Sequence, residues 1–93
     1  MPSFKVAHLR EQGQDMLIFP LDSGIHQKTD SEKAEILDEL EMRAHAAGLA
    51  GSAVIVWDHG RSFNFMGPQP WHPFLRSINM RVVMANLNKE ISW

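Results

Sequence analysis

The stretch from residue 53 to residue 66 has the sequence AVIVWDHGRSFNFM, and its pattern decides the fold. Two short apolar runs flank a His-Gly pair, and a glycine in so short a connection supplies the positive φ that a tight hairpin turn requires. Pairing the runs about that loop places Val56 opposite Phe63. The same register places Val54 opposite Phe65, so the stretch predicts two antiparallel strands with one apolar face.

The N-terminal part of the chain contains a second hairpin pattern. Residues 4–10 and 15–21 are predicted strands, and Gln12 and Gly13 form the loop between them. The residues predicted to pair across one face are Leu9 with Met16 and Ala7 with Ile18. The opposite face carries Phe4, Val6, His8, Leu17, Phe19 and Leu21.

The residues between the hairpins predict an amphipathic helix. Thr29 and Glu32 have the spacing of a capping box, in which each side chain accepts a hydrogen bond from a backbone amide of the first turn. Gly48 is suited to the left-handed position that ends a helix. The apolar stripe of this helix consists of Ile36, Leu37, Leu40, Ala44 and Ala47.

The C-terminal stretch predicts one further helix that carries two apolar stripes. Pro73 suits its first turn, because proline lacks the amide that a first turn leaves unpaired. One stripe consists of Phe74, Leu75, Ile78, Val82 and Ala85. The second stripe consists of Met80, Val83, Met84, Leu87 and Ile91. A helix that packs on its own sheet needs only one stripe, so the second predicts a surface for a partner.

The order of elements predicts a single α+β domain over residues 1–93. Two ββα units fit a two-layer sandwich, with a four-stranded antiparallel sheet and two helices on one face. The predicted strand order is 1-2-4-3, a permuted ferredoxin-like arrangement. The helices then leave the other sheet face, which carries Phe19 and Trp57, uncovered.

Composition excludes several classes of protein. The 93 residues include no cysteine, which excludes disulfide scaffolds and thiolate chemistry and favours a reducing cytoplasm. No apolar run reaches the roughly 18 residues that a membrane span requires. The net charge of −2 is divided between an acidic half, residues 1–51, and a mildly basic half, residues 52–93. This division favours contact between the halves, in one chain or in two.

The surplus of apolar surface predicts a homodimer. A second helix stripe and an uncovered sheet face exceed the apolar patch of most soluble monomers, and a second copy covers both. The predicted protein is a small non-enzymatic homo-oligomeric module that binds a protein or a small ligand and needs no cofactor. The alternatives are that loops of the same chain cover one stripe or that the assignment of the sheet faces is inverted. The predicted interface consists of Phe19, Trp57, Met80, Val83, Met84, Leu87 and Ile91.

The polar residues indicate a metal-binding or catalytic site less strongly than the apolar residues indicate an interface. The five histidines are 13 to 19 residues apart, which places no two ligands on one element, so no metal site and no catalytic residue is predicted. His59 beside Asp58 is the best single acid–base candidate, and with His72 it supports a small histidine-dependent enzyme as an alternative function. The proline-stiffened elbow before the last helix is either a hydrophobic plug or a ligand-binding site. Its residues are Trp71, His72 and Phe74.

Nucleic-acid binding is the other alternative function. Residues 61–66, RSFNFM, resemble the RNP1 strand of RNA-recognition domains, in which aromatic side chains stack on bases. If Phe63 and Phe65 stacked on bases, Ser62 and Asn64 would have to point into the core. The negative net charge of the chain also argues against a polyanionic partner. The basic residues available to this alternative are Arg61, Arg76, Arg81 and Lys89.

Overall fold

The computed structural model describes residues 3–11 and 13–92, which form a five-stranded mixed sheet between two helical layers. In chain order the elements are β1 (Ser3–Glu11), β2 (Gln14–Pro20), α1 (Asp30–Ala46), β3 (Ser52–His59), β4 (Ser62–Met66), α2 (His72–Arg76), α3 (Met80–Ala85) and β5 (Lys89–Ser92). Two 3₁₀ turns, Ser23–Gln27 and Gln69–Trp71, precede α1 and α2. The strand order is β4-β3-β2-β1-β5. The predicted α+β class is confirmed, whereas the predicted four-stranded antiparallel sheet is wrong.

The first hairpin has the predicted register. The expected pairs across β1 and β2 are present: Leu9 with Met16 and Ala7 with Ile18. Gly13 has φ +78°, the left-handed conformation expected of a tight turn. Gln12, the other predicted loop residue, lies outside the described residues.

The second hairpin is shifted by two residues from the predicted register. Phe63 pairs with Asp58 instead of Val56, because β3 continues to His59 before Gly60 opens the loop with φ +62°. A shift of two residues keeps every side chain on its original face. The predicted apolar face is therefore present, and it consists of Val54, Val56, Phe63 and Phe65.

The predicted strand order 1-2-4-3 is wrong, because β2 and β3 are direct parallel neighbours. All other neighbouring strands are antiparallel. The α1 helix supplies the long crossover that parallel neighbours need. Residues 16–19 of β2 and 53–57 of β3 are buried without interruption. Such continuous apolar runs are typical of parallel strands that are covered on both faces.

Helices cover both faces of the sheet, so the predicted two-layer arrangement is wrong. The α1 helix packs through Leu40 on the face that was predicted to be uncovered. On that face Phe19 is 0% exposed and Trp57 is 4% exposed. Leu75 of α2 and Val83 of α3 pack on the other face. The cause is the crossover, since α1 joins β2 to β3 over one face and the chain after β4 returns across the other.

The start and end of α1 are as predicted. Thr29 Oγ1 accepts a hydrogen bond from the Glu32 amide at 3.1 Å, and Glu32 Oε1 accepts one from the Thr29 amide at 3.1 Å. Gly48 has φ +88° just beyond the end of the helix. Within the predicted stripe, Leu40 and Ala44 are fully buried against the sheet.

The predicted C-terminal helix is wrong, because this stretch forms two short helices and a strand. Asn79, with φ −139°, interrupts the helix and caps α3 by accepting a hydrogen bond from the Val82 amide at 3.1 Å. Asn88 exchanges two hydrogen bonds with the backbone of His8, at 2.9 and 3.1 Å, which directs β5 along β1. Asparagine side chains that bond to backbone groups compete with helix formation, so helical spacing alone misleads here.

The last strand, β5, forms the sheet edge beside β1. Ser92 pairs with Ser3, and Ile91 pairs with Phe4. Ile91, which the helical spacing placed in the second stripe, is a buried strand residue. The two-stripe helix therefore does not exist, and its residues are distributed over both sheet faces.

Candidate functional site

A pair of stacked imidazoles is the most distinctive polar arrangement. His26, from the 3₁₀ turn before α1, and His59, at the end of β3, have ring centroids 3.7 Å apart and an interplanar angle of 9°. The sequence pattern pairs His59 with Asp58, but neighbouring strand residues point to opposite faces. Asp58 pairs with Phe63, which packs on the face covered by α2 and α3. His59 therefore has His26 as its partner, from a distant part of the chain.

Trp57 orients the His26 ring. The indole Nε1 donates a hydrogen bond to Nδ1 of His26 at 3.2 Å. Because an indole nitrogen only donates, Nδ1 is the acceptor and the proton of the neutral imidazole lies on Nε2. Trp57 is almost completely buried, so this hydrogen bond connects the 3₁₀ turn to the core.

Lys33 adds a positive charge above the same indole. Its Nζ lies 5.0 Å from the ring centroid of Trp57, within the range of a cation–π interaction. Although Lys33 belongs to the first turn of α1, it is only 8% exposed. We name His26, His59, Lys33 and Trp57 together the histidine-pair site.

The electrostatics of the histidine-pair site oppose protonation of His26. Desolvation of the ring, the neighbouring His59 and the Lys33 ammonium, in that order, lower the pKa of His26 from its ordinary value of 6.5. The hydrogen bond from Trp57 favours the same neutral form, because a protonated ring offers no acceptor at Nδ1. His26 is thus predominantly neutral at pH 7 and acts as a hydrogen-bond donor at Nε2.

We expect the folded state to lose stability as the pH falls below 6.5, the ordinary pKa of histidine. The pKa of His26 is lower in the folded chain than in the unfolded chain, so the unfolded chain binds this proton more tightly. The contribution is fully present above 6.5 and is lost as the pH falls towards the folded pKa. Thermal unfolding midpoints measured between about pH 7.5 and pH 5 will show this slope.

The variant His26→Asn tests the origin of that slope. Asparagine retains an acceptor for the Trp57 N–H but does not titrate, so the midpoint of this variant will depend less on pH in the same range. His45→Asn, at an exposed position outside the histidine-pair site, removes a different histidine and serves as the matched control. Equal slopes for His26→Asn and the wild-type protein would contradict the assignment.

An apolar groove at one end of the sheet is the second candidate site. Phe4 and Leu21 line it from the sheet, and Met80, Met84 and Leu87 line it from α3 and the segment that follows. The groove has a volume of about 420 Å³. An adjoining cleft of about 310 Å³ shares Phe4 and Leu21 and extends to α1. We name the two together the sheet-end groove.

The predicted interface residues fall into two groups. Met80, Met84 and Leu87 line the sheet-end groove, and Met84 is 54% exposed. The remaining residues are core residues, each at most 4% exposed: Phe19, Trp57, Val83 and Ile91. The uncovered sheet face and the second helix stripe, which were the reasons for placing these four at an interface, are absent from the fold.

The predicted ligand-binding elbow packs into the core. Trp71 is 8% exposed and belongs to the apolar cluster between the sheet and α2. Nε2 of His72 lies 3.1 Å from the carbonyl oxygen of Gly67, and its ring meets Phe65 edge-on with centroids 5.2 Å apart. Phe74 is half-buried against the same cluster. These contacts anchor α2, and the predicted role of the three residues in ligand binding stays a prediction.

The basic residues of the nucleic-acid alternative are exposed but spread over the molecule. Arg61 lies in the loop that enters β4 and Lys89 lies in β5, and these strands form opposite edges of the sheet. Arg76 ends α2, and Arg81 belongs to α3. The phenylalanines of the RNP1-like stretch pack against the core under these helices. The fold therefore does not bring these cations and the two aromatic rings together on one open sheet face.

Among residues 3–11 and 13–92, no group of three or more histidine, aspartate or glutamate side chains is placed to hold a metal ion. In the same part of the chain no helix has both the length and the apolar character needed to cross a bilayer. No protein-family model, curated protein or solved structure matches this chain. The histidine-pair site and the sheet-end groove are therefore described as the two candidate sites.

Proposed function

We propose that the protein is a small non-enzymatic interaction module that works as a homodimer joined through the sheet-end groove. The exposure of Met84 beside the half-buried Met80 and Leu87 carries this proposal. These side chains form one concave apolar surface with Phe4 and Leu21. Clustered large apolar side chains on an otherwise polar surface are typical of a protein–protein contact.

The contact must bury enough apolar surface, at about 25 cal/mol for each Å², to outweigh association costs of about 4 to 15 kcal/mol. In a two-fold symmetric dimer each protomer buries the same groove, so every groove residue contributes twice.

The charges around the groove favour a second copy of this chain as the occupant. Lys5 and Asp22 both line it, and both are exposed. A patch that carries both signs at its rim can face its own two-fold copy, with Lys5 of one protomer opposite Asp22 of the other. The adjoining cleft repeats this mixture with Lys28 and Glu39. A partner of a single charge sign would meet repulsion from one half of the rim.

We expect Met84→Asp to weaken dimerisation by at least about 30-fold, because the dimer loses two buried apolar side chains and gains two carboxylates. Size exclusion coupled to light scattering over a range of micromolar concentrations measures the change. Met42→Asp is the matched control, since Met42 is 60% exposed on α1 and does not line the sheet-end groove. A wild-type protein that stays monomeric at every concentration would overturn the proposal.

The charge arrangement provides a second control on the same measurement. Lys5→Glu alone places acidic groups on both sides of the contact and will weaken the dimer. The double variant Lys5→Glu, Asp22→Lys exchanges the two charges and will restore most of the affinity, because the symmetry of the contact is preserved. Failure of the double variant to recover would show that these residues do not face each other.

A further inference from the structure

The histidine-pair site presents donors and positive charge to its surroundings. Nδ1 of His26 is occupied by the Trp57 N–H, which leaves Nε2 as a donor. Within the described residues that Nε2 forms no hydrogen bond. The Lys33 ammonium contributes three further donors and a full charge.

Lys33 has no carboxylate partner among the described residues, where the ion pairs are formed by other groups, His8 with Asp15 and Arg43 with Glu39. The Lys33 side chain is largely buried, but its Nζ is not among the buried unpartnered atoms of the described residues, so solvent reaches the ammonium. Within the same residues its charge is met by the face of the Trp57 ring. The site therefore presents to solvent a positive charge that forms no ion pair with a described carboxylate.

The acidic groups nearest in sequence are directed elsewhere. Asp58 belongs to the opposite sheet face, as its pairing with Phe63 shows. Glu32 uses its carboxylate to accept the Thr29 amide in the capping box. Neither of these two carboxylates forms an ion pair with the histidine-pair site.

Stacked imidazoles respond strongly to an anion. Two protonated rings with centroids 3.7 Å apart repel each other, and this repulsion contributes to the lowered pKa of His26. A negative charge beside the pair removes that cost and adds charge-assisted hydrogen bonds. We propose that the histidine-pair site binds a small oxyanion, of the phosphate or carboxylate kind, through His26 Nε2–H, His59 and Lys33. This site goes beyond the dimer contact and shares no residue with the sheet-end groove.

Competing roles for the same residues fit the geometry less well. General-base catalysis by His26 needs a free ring nitrogen, but Nδ1 is occupied and Nε2 is protonated. A divalent metal requires converging lone pairs, whereas the two ring planes lie within 9° of parallel. A purely structural latch would leave the charge of Lys33 unexplained.

Imidazole nitrogen NMR tests the proposal. The five histidines are titrated with pH in chloride, in inorganic phosphate and in acetate at one ionic strength, with each anion also titrated at fixed pH. We expect an oxyanion to raise the titration midpoints of His26 and His59 and to leave those of His8, His45 and His72 in place. Comparison of the titrations in phosphate and in acetate shows which oxyanion the site prefers. No midpoint shift with either anion, or equal shifts of all five histidines, would overturn the proposal.

Lysine variants distinguish binding of the anion at the histidine-pair site from its general electrostatic attraction to the protein surface. Lys33→Met keeps the apolar stem over Trp57 but removes the charge. We expect this variant to bind the preferred anion about tenfold or more weakly than the wild-type protein does. Lys89→Met removes an exposed lysine of β5, outside both candidate sites, and is the matched control, with about twofold change or less. If Lys33→Met does not fold, His59→Asn, at an exposed position, supplies the same comparison. The assignment would be contradicted if both lysine variants lost the same affinity for the anion, or if His59→Asn bound the anion as tightly as the wild-type protein does.

Discussion

Replacing Phe19 by alanine is expected to destabilise the fold by about 3 to 5 kcal/mol, the largest effect of any single change considered for this protein. Phe19 is 0% exposed and lies in β2 between β1 and β3. It pairs with Ile55 and packs in the layer between the sheet and α1, beside Leu40. Its removal leaves a cavity that the surrounding strands cannot fill by small movements.

The urea dependence of unfolding measures this loss, and it also tests the two-sided covering of the sheet. Since domains of this kind have a total stability of about 5 to 15 kcal/mol, the variant will retain about 0 to 12 kcal/mol. Met42→Ala, at a position 60% exposed, changes the free energy of unfolding by less than about 0.5 kcal/mol. A Phe19→Ala protein that is destabilised only through loss of the dimer would return Phe19 to the interface first predicted for it.

Gly51→Ala is expected to cost about 2 to 4 kcal/mol, through backbone strain and a steric clash. Gly51 has φ +127°, a conformation that side-chain-bearing residues rarely adopt. A Cβ at this position would lie 2.8 Å from the backbone oxygen of Asp15 and 2.9 Å from its Cβ. This close approach occurs where β2 and β3 begin their parallel pairing, next to the pair Met16 and Ser52.

Two other glycines separate the contributions to that loss. Gly24 has open space and no positive φ, so Gly24→Ala will be close to neutral. Gly48 has φ +88° but open space, so Gly48→Ala will show strain alone, about 1 to 2 kcal/mol. Chemical unfolding of the three variants should therefore rank Gly51→Ala as the most destabilised. If the Gly51→Ala protein is no less stable than the Gly48→Ala protein, residue 51 and Asp15 can move apart enough to accommodate a Cβ, and the predicted clash is wrong.

Local features of the fold could be predicted from the sequence, because their partners are close in the chain. The capping box of Thr29 and Glu32 joins residues three apart, and the first hairpin depends on one glycine turn. The faces of β3 and β4 also follow from alternation, even with the register shifted by two residues. Side chains alternate whatever the exact pairing is, so this pattern survives the error.

Features that depend on distant pairing could not be predicted in the same way. The unbroken apolar runs at residues 16–19 and 53–57 are a signal for parallel strands, but alternation in the hairpins favours an antiparallel sheet. At the C-terminus, the apolar spacing agreed with a helix while Asn79 and Asn88 bonded to the backbone and ended it. Short polar side chains therefore outweighed a regular apolar period.

The candidate sites show the same division. Met80, Met84 and Leu87 could be found from their excess apolar character, although the helix assumed for them is absent. The histidine-pair site depends on a contact between residues 31 apart, Trp57 and His26. Nothing in the local pattern around His26 indicates that contact, because the position of the 3₁₀ turn over the end of β3 follows only from the complete topology.

The pairing of Ser3 with Ser92 has a consequence for the order of folding. These residues close a loop that encloses nearly the whole described chain, so the pairing is entropically unfavourable until the intervening elements have formed. The last strand is then the last to dock. Before it docks, β1 presents unpaired backbone amides and carbonyls along a sheet edge, which is the form in which this chain is most prone to exchange strands with a neighbouring copy.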